Sequence, residues 1–257
     1  MKDIKLLVAT HKKYKMPKDK LYLPIHVGKV NKSGIGFIGD DTGDNISIKN
    51  PYYCELTAIY WAWKNIDADY IGLVHYRRHF TCNRKKDKWD SVLTLAQATK
   101  LLKNNDIILP EKRRYFIETI YSHYANTHDH SHLDFLRNII EEHTPQYLSS
   151  FDKVMKSTSA HMFNMFIMKK ELFHSYCQWL FPVLEKLEQA ISIENLPGFE
   201  ARLFGRVSEF LLDVWIDENE LSYTETGYVH MEKINWVKKI KNFIFAKIAD
   251  KKYNSSL

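Results

Sequence analysis

The chain has 257 residues, of which 45% are hydrophobic and 26% are charged. This composition is typical of a packed globular protein and excludes a disordered or collagen-like chain. The three cysteines, Cys54, Cys82 and Cys177, have no paired spacing, which argues against a disulfide framework and a thiolate zinc site. No apolar run reaches the roughly 18 residues of a membrane span, and the amino-terminal apolar stretch is too short for a signal peptide. We therefore expect a cytosolic protein.

The net charge of +6 is concentrated in the carboxyl-terminal segment. Residues 233–257 contain 7 lysines and 1 acid, whereas residues 1–232 contain 30 basic and 30 acidic side chains. A balanced main body argues against a nucleic-acid-binding protein, whose cations would be spread over the fold. In the tail, apolar residues recur at helical spacing between lysines, which predicts a basic amphipathic helix over 231–257 on an anionic membrane surface. A terminal helix docked on the domain is the alternative.

The first quarter of the chain predicts a strand, a long loop and a helix. Residues 4–9 form a short apolar run, typical of a buried strand. A polar, glycine-rich loop follows over 28–50, and its length indicates a functional role. Asn50 as N-cap and Pro51 at the first helical position predict a helix that ends near residue 65.

The next elements predict alternation of strands and helices. An apolar run over 70–74 is strand-like, and Thr94 with Gln97 forms a capping box that begins a helix. A short apolar run over 106–109, stopped by Pro110, predicts another strand. This order favours an α/β sheet with crossover helices.

The second half of the chain is mainly helical in pattern. Ser131 is predicted to open a helix together with Asp134, and residues 162–168 form a strand-like run. Two longer helices are predicted over 171–187 and 199–216. We therefore predict one α/β domain over residues 1–230 with a helical carboxyl-terminal half, followed by the tail helix.

A compact cationic motif follows the strand at 70–74. Arg77 and Arg78 are adjacent, next to Tyr76, and are flanked by His75 and His79. Ligands of open α/β sheets bind at the carboxyl ends of the strands, and arginine matches phosphate oxygens with forked donors. The motif therefore predicts a diphosphate site, with a structural ion pair as the alternative for one of the arginines.

A histidine-rich segment allows two interpretations. His128 and His132 have the i, i+4 spacing of metal ligands, with His130 and Asp134 nearby, so a histidine-metal hydrolase is one hypothesis. Polar residues at a helix start, or side chains that contact a substrate, are the other interpretation. The arginines and the basic tail also leave a nucleotide- or nucleic-acid-binding protein as an alternative.

Two polar residues lie within apolar patterns. Glu209 borders the apolar face of the helix predicted over 199–216, where it is either paired with an arginine or acts as a general base in a cleft. Asn164 lies inside the apolar run at 162–168, and a buried amide must find hydrogen-bonding partners.

Four phrases resemble those of a known family. They are DNISIKNPYYCELTAIYWAWKN (44–65), YIGLVHYRRHF (70–80), FNMFIMKKELFHSYCQWLF (163–181) and GRVSEFLLDVWI (205–216). Together they resemble a bacterial family of capsular and exopolysaccharide glycosyltransferases, long described only as a domain of unknown function, which includes galactofuranosyltransferases. The family pattern has Ser-Glu-Arg before two leucines, whereas this chain has Phe210 in place of the arginine.

The resemblance implies a GT-A-like nucleotide-sugar-binding domain. Its activity would be transfer of a hexosyl residue, with galactofuranose as one candidate, from a UDP-sugar to a lipid-linked glycan at the inner face of the cell membrane. Many GT-A enzymes bind a divalent ion through a DxD motif after a central strand. Here the motif formed by Asp67 and Asp69 precedes the strand, so we expect the cations at 75–78 to replace the metal and no cofactor to be required.

By analogy with the same fold, nucleotide-binding residues are expected in two places. They are the end of the first strand and the following loop, namely Ala9, Thr10, His11, Asp44 and Asn45. Candidates for the base that activates an acceptor hydroxyl are Glu209, Asp134 and His128, in that order. Asn164 is expected in the acceptor or sugar pocket.

Overall fold

The structure, a computed structural model, describes residues 2–191, 193, 196 and 200–232. It contains a mixed eight-stranded sheet and a separate two-stranded ribbon. The strands are β1 (Ile4–Thr10), β2 (Tyr22–His26), β3 (Ile38–Gly39), β4 (Tyr70–His75), β5 (Arg78–Thr81), β6 (Ile107–Pro110), β7 (Arg113–Arg114), β8 (Ser159–Ala160), β9 (Phe166–Lys169) and β10 (Thr224–His230). The ribbon consists of β7 and β8.

Several strands of the sheet end at the same edge because they run in the same direction. β3, β2, β1 and β4 are parallel neighbours, with Val8 opposite Val74. β9 lies antiparallel between β4 and β6, and β10 runs parallel to β6. β5 is antiparallel to β10 and returns to β4 through a single pair, His75 with Arg78. The carboxyl ends of β1, β2, β4, β6 and β10 therefore lie along one side, here called the carboxyl edge.

The helices cover both faces of the sheet unequally. They are α1 (Asn50–Tyr53), α2 (Leu56–Asn65), α3 (Leu95–Leu101), α4 (Ile120–Thr127), α5 (Ser131–His143), α6 (Leu148–Lys156), α7 (Lys170–Ala190) and α8 (Leu203–Glu218). Leu7 and Ala9 of β1 belong to the larger core with most of the helices. Leu6 and Val8 point into a smaller core with α3 on the opposite face. Burial on both faces explains why β1 is a continuous apolar run.

Several predicted elements are confirmed. The strands predicted over 4–9, 70–74 and 106–109 are present as β1, β4 and β6. The capping box at α3 is also present, because the Thr94 side chain accepts a hydrogen bond from the Gln97 amide while the Gln97 side chain binds the Thr94 backbone. The two long helices are present as α7 and α8.

Other boundaries differ from the predictions. The helix predicted over 50–65 is interrupted at Cys54, whose φ of 52° ends α1 before α2 begins. Asn50 is not the N-cap: it lies inside α1 and its side-chain amide donates to the Cys54 carbonyl at 2.7 Å. Ser131 does not cap α5 either, since the cap position is His130 and no side chain caps that end.

A buried histidine joins α8 to the sheet. His161 Nδ1 contacts Asp213 of α8, and the Asp213 carboxylate also accepts the His161 backbone N–H at 2.9 Å. Its Nε2 lies 2.9 Å from Glu225 of β10. Because one ring nitrogen contacts Asp213 of α8 and the other contacts Glu225 of β10, His161 links α8 to the sheet.

No helix within the described ranges is both long and apolar enough to cross a membrane. The predicted basic tail helix falls mainly on residues 233–257, which lie outside the described residues.

Candidate functional site

Two carboxylates from different elements meet near the carboxyl edge. Glu55 lies directly before α2 and is buried, whereas Glu209 lies in α8 and keeps part of its surface exposed. They are close enough for the charge of Glu55 to influence the pKa of Glu209. An acid pair of this kind is a frequent feature of catalytic sites.

Glu55 is held in its ionised form by two neighbours. Its Oε2 lies 3.3 Å from His75 Nε2, at the end of β4, and its Oε1 accepts a hydrogen bond of 2.8 Å from Asn164. Burial alone raises the pKa of Glu55, but the charge and hydrogen bond of His75 and the Asn164 amide outweigh it and lower the pKa to about 2.

Glu209 has the opposite electrostatic environment. Burial and the negative charge of Glu55 raise its pKa to about 7. A hydrogen bond from the Phe163 backbone N–H and the charges of Arg78 and Arg113 act in the other direction without reversing the shift. The positive charge missing at Phe210 is thus supplied from other elements. A carboxylate with a pKa near neutrality is suited to accept a proton.

Asn164 is a bracing residue in the wall of the site. It is 2% exposed, and its amide donates to Glu55 and to the Gly205 carbonyl at 2.9 Å. Its oxygen accepts a hydrogen bond of 3.0 Å from Ser208. All of its polar atoms are thus used within the protein, so the structure places it behind the two acids rather than in an open sugar pocket.

Left-handed backbone conformations surround the acid pair. Cys54 precedes Glu55 with a φ of 52°, and Phe163 and Asn164 have φ values of 77° and 52°. Such conformations cost on the order of 1 kcal/mol or more each for residues other than glycine and concentrate at functional sites. Here they aim the Phe163 amide at Glu209 and the Asn164 side chain at Glu55.

The two adjacent arginines have different surroundings, because Arg77 lies in a turn and Arg78 lies in the strand that follows. Arg77 lies in the turn after β4, half-exposed and 3.9 Å from Glu232, whereas Arg78 begins β5. The Arg78 guanidinium lies 4.2 Å from the centre of the Phe163 ring, and its buried Nε has no hydrogen-bond partner among the described residues. The two guanidinium groups thus have different neighbours, although both side chains lie at the carboxyl edge, where the diphosphate site was predicted.

The histidines of the same motif have structural surroundings. His75 faces Glu55, so its Nε2 is used inside the protein. His79 is fully buried against Tyr22 and Trp89, and burial lowers its pKa to about 4. A neutral, enclosed imidazole does not bind an anion, so the sequence-based placement of His79 in an anion site is corrected.

The end of β1 does meet the cationic turn. The Ala9 carbonyl accepts the Tyr76 backbone N–H at 3.2 Å, and the exposed His11 ring packs edge-on against Tyr76 at 5.5 Å. Thr10 is buried and donates its hydroxyl to the Lys12 carbonyl. Partial burial is the main cause that lowers the pKa of His11, and the charges of Lys12 and Arg77 lower it further.

The described contacts of Asp44 and Asn45 lie with α2 and with their own loop. The Asp44 carbonyl accepts from Asn65 at 2.8 Å and its carboxylate accepts from Tyr60. Asn65 ends α2 shortly before β4 begins, at the opposite edge of the sheet. Asn45 is used in local contacts with Gly43 and Ser47. The loop bearing these residues is thus fastened along α2.

The remaining base candidates lie with other partners. Asp134 is exposed and contacts Tyr121 and His130, at 3.0 and 2.9 Å. His128 is buried with its Nδ1 3.3 Å from Glu200. His132 contacts the Tyr124 hydroxyl at 3.2 Å.

The histidines around residue 130 therefore turn to separate partners and do not converge. Among residues 2–191, 193, 196 and 200–232, no group of three His, Cys, Asp or Glu side chains is arranged to hold a metal ion. Asp67 and Asp69 of the DxD motif lie at the amino end of β4, where they bind Lys170 and the Asp3 backbone.

Sequence reasoning missed Glu55 and Asp40. Glu55 lies on the same helical face as Ile59, four residues later. An acid on an apolar face was therefore the sequence feature that could have identified Glu55. Asp40 is completely buried after β3 and accepts hydrogen bonds from Gly28, Ser47 and Thr57 at 2.8, 2.5 and 2.5 Å. It organises the loop at the carboxyl edge.

A shallow polar cavity of about 580 Å³ lies elsewhere, between α6 and the end of α8. Its charged lining side chains include Lys153 and Asp217, which bind each other at 2.5 Å. Glu55 and Glu209 do not line it, so we locate the site by the acid pair rather than by cavity size.

A solved structure has the same architecture. The apo structure of the WbbM bifunctional glycosyltransferase matches this chain with a TM-score of 0.83 and 32% sequence identity, over 90% of this chain and 46% of that one. The chain therefore spans about half the length of this neighbour. The mixed α/β fold is thus similar to part of a glycosyltransferase. Among curated proteins, none matches the chain significantly.

The family is shown by the sequence itself. Residues 5–220 match the family described as "Domain of unknown function (DUF4422)", and the chain belongs to that family. The resemblance noted in the four sequence phrases is therefore confirmed.

Proposed function

We propose that this protein is a glycosyltransferase with a GT-A-like domain that moves a hexosyl residue, with galactofuranose as a candidate, from a UDP-sugar to a lipid-linked glycan in capsular or exopolysaccharide synthesis. The observation that carries the proposal is the acid pair with divided protonation, Glu55 and Glu209, beside cationic residues at the carboxyl edge. Similarity to part of a bifunctional glycosyltransferase supports it. We place the protein in the cytoplasm, peripheral at the inner face of the cell membrane.

The donor diphosphate would lie over the turn between β4 and β5. Arg77, His11 and the Tyr76 backbone border this turn on one side, and Arg78 borders it towards Glu209. Cations placed where charge develops on the leaving UDP lower the barrier of its departure. In this proposal they take the place of a metal ion, and Asp44 and Asn45 are left out of the nucleotide site.

Glu209 would act as the general base. The acceptor hydroxyl loses its proton to the Glu209 carboxylate while its oxygen forms the new bond to the anomeric carbon, and the bond from that carbon to UDP breaks. Glu55 stays ionised and keeps the pKa of Glu209 high enough for the proton transfer. Asp134 and His128 rank behind Glu209 because their contacts lie with other side chains.

The test separates chemistry from donor binding. We expect Glu209→Gln to lower turnover about 10²-fold or more, while UDP still raises the melting temperature of the variant as it does that of the wild type. Turnover is measured as UDP release in the presence of acceptor, across a panel of UDP-hexoses that includes both ring forms of galactose. Asp134→Asn is the matched control and should retain turnover.

Two results would contradict the proposal. Full turnover of the Glu209→Gln variant would assign the base elsewhere. Loss of turnover in a chelator, restored by Mn²⁺ or Mg²⁺, would overturn the metal-independent donor site while leaving the transferase assignment in place.

A further inference from the structure

A short loop presents two large apolar side chains to solvent. Phe116 is 83% exposed and Ile117 is 81% exposed, and they are neighbours in sequence. We call residues 112–118 the tip loop. Singly exposed apolar residues are normal on protein surfaces, whereas contiguous exposed apolar surface marks a contact site.

The tip loop is held firmly from both sides. Arg113 and Arg114 pair as a strand with residues 159–160, and the Tyr115 N–H donates to the Thr158 carbonyl at 2.8 Å. Beyond the tip, the Ile120 N–H donates to the Ser157 carbonyl at 2.8 Å. The exposure of the tip is thus imposed by its anchors. Phe116 also has a φ of 61°, a conformation that costs energy for a phenylalanine.

Three cations precede the apolar tip. Lys112, Arg113 and Arg114 are consecutive and exposed. Two acids flank these residues: Glu111 precedes Lys112 and is exposed, and Glu118 contacts His123 at 2.7 Å and Asn126 at 3.0 Å. Aromatic and aliphatic side chains flanked by Lys and Arg are the composition that partitions into the interface of an anionic bilayer.

The tip loop also adjoins the proposed catalytic acid. Burial raises the pKa of Tyr115 to about 12, and the charge of Glu209 adds to that shift. The charge of Arg113 in turn lowers the pKa of Glu209. Arg113 and Tyr115 of the tip loop therefore lie within electrostatic range of Glu209.

We propose that the tip loop inserts Phe116 and Ile117 into an anionic phospholipid surface while Lys112, Arg113 and Arg114 contact the headgroups. A protein partner is less suited to this loop, because stable protein interfaces bury about 800 Å² per partner and two side chains offer far less. This proposal rests on the membrane location given in the proposed function, but not on the transfer reaction. Vesicle binding needs no sugar transfer, so its failure would leave the transferase assignment in place.

The experiment measures co-sedimentation of the full-length protein with vesicles. The probe is phosphatidylcholine mixed with phosphatidylglycerol, and vesicles of phosphatidylcholine alone are the charge control. The variant is Phe116→Asn with Ile117→Ser, in which asparagine tolerates the left-handed backbone at position 116. We expect its partition coefficient on the anionic vesicles to fall at least about tenfold, because two apolar side chains are no longer buried in lipid.

Two further variants make the result specific. Phe116→Leu with Ile117→Leu should retain binding, since it keeps apolar side chains at the tip. Ile48→Ser with Phe135→Ser removes two apolar side chains that are 66% and 43% exposed elsewhere, and it should also retain binding. Equal partition of the wild type and the tip variant would overturn the proposal, as would absence of wild-type binding to anionic vesicles. Light scattering that shows a dimer lost in the tip variant would also overturn it, in favour of a protein contact.

Discussion

Glu55 and Glu209 are both glutamates, but their surroundings give them very different pKa values, about 2 and about 7. Specific partners, His75 and Asn164, stabilise the charge of Glu55, whereas burial beside that charge disfavours ionisation of Glu209. Because folding raises the pKa of Glu209 from 4.5 to about 7, ionising it costs stability as the pH rises through this range. The raised pKa makes Glu209 a better proton acceptor near neutral pH, but it lowers the stability of the folded protein as Glu209 ionises.

A change at Glu55 tests this coupling at the residue scale. Burial is the main cause of the raised pKa of Glu209, and the negative charge of Glu55 adds to it. Glu55→Gln removes that charge, so the acidic limb of the turnover profile should move from about pH 7 to lower pH. The pH dependence of turnover with saturating substrates measures the shift. Glu188→Gln, which alters a carboxylate bound to Lys49 and Tyr53, is the control and should leave the limb in place. An unmoved limb in the Glu55 variant would show that the two acids are not coupled.

The elements around the site approach one another unusually closely. Gly205 of α8 lies against the break between α1 and α2, where an added Cβ would be 2.9 Å from Cys54 Cβ and 3.3 Å from the Tyr53 carbonyl oxygen. The Gly205 carbonyl also accepts the Asn164 amide. A glycine is thus required for α8 to deliver Glu209 next to Glu55.

A matched pair of substitutions tests this packing. Gly205→Ala should destabilise the protein by about 1–3 kcal/mol, because backbone or core atoms must move to admit the methyl group. Gly34→Ala is the control, since only a lysine side-chain carbon lies as near as 4.0 Å to the added atom. Urea denaturation measures both free energies of unfolding. Equal stability of the two variants would mean that α8 can shift without cost.

Element boundaries also explain why the two adjacent arginines have different neighbours. Tyr76 and Arg77 form the turn between β4 and β5, yet neither is one of the Gly, Asn or Asp residues that mark tight hairpin turns in sequence. Without that signal the sequence does not predict that a second strand begins at Arg78. The turn sends Arg77 towards Glu232 and Arg78 towards Phe163.

At the scale of the whole molecule, the carboxyl edge collects residues that are far apart in sequence. Thr10, Glu55, His75, Asn164 and Glu209 come from five different segments of the chain. The mixed sheet aligns these segments because β1 and β4 end on the same side and β9 begins there. The described chain also continues into the lysine-rich residues 233–257 from this side, directly after β10.

The tail prediction belongs to this scale. A chain that ends at Glu232 loses 7 lysines, and each cation near an anionic membrane contributes about 1 kcal/mol. We expect its binding to phosphatidylglycerol vesicles to fall about 10²-fold or more at low salt, and the remaining binding to depend less steeply on salt because fewer cations contribute to it. Co-sedimentation over a series of salt concentrations measures this, with phosphatidylcholine vesicles as the control. Undiminished binding would assign membrane contact to the folded domain alone.

The sequence by itself determined the elements whose signals are local. The apolar runs of β1, β4 and β6 and the capping box of α3 depend on neighbouring residues, and all four were predictable. Four phrases in the right order were also enough to indicate the family. Glu209 could be singled out because it lies beside an apolar helix face.

Tertiary structure alone decided which groups act together. The pKa of Glu209 depends on Glu55, which is 154 positions away in the printed sequence, and on a backbone amide aimed by the left-handed conformation of Phe163. Asp44 and Thr10 were both nucleotide-binding candidates in the sequence. In the structure Asp44 packs along α2, where it contacts Tyr60 and Asn65. Electrostatic coupling and burial depend on distance in space, so they become defined only when the sheet and α8 have packed.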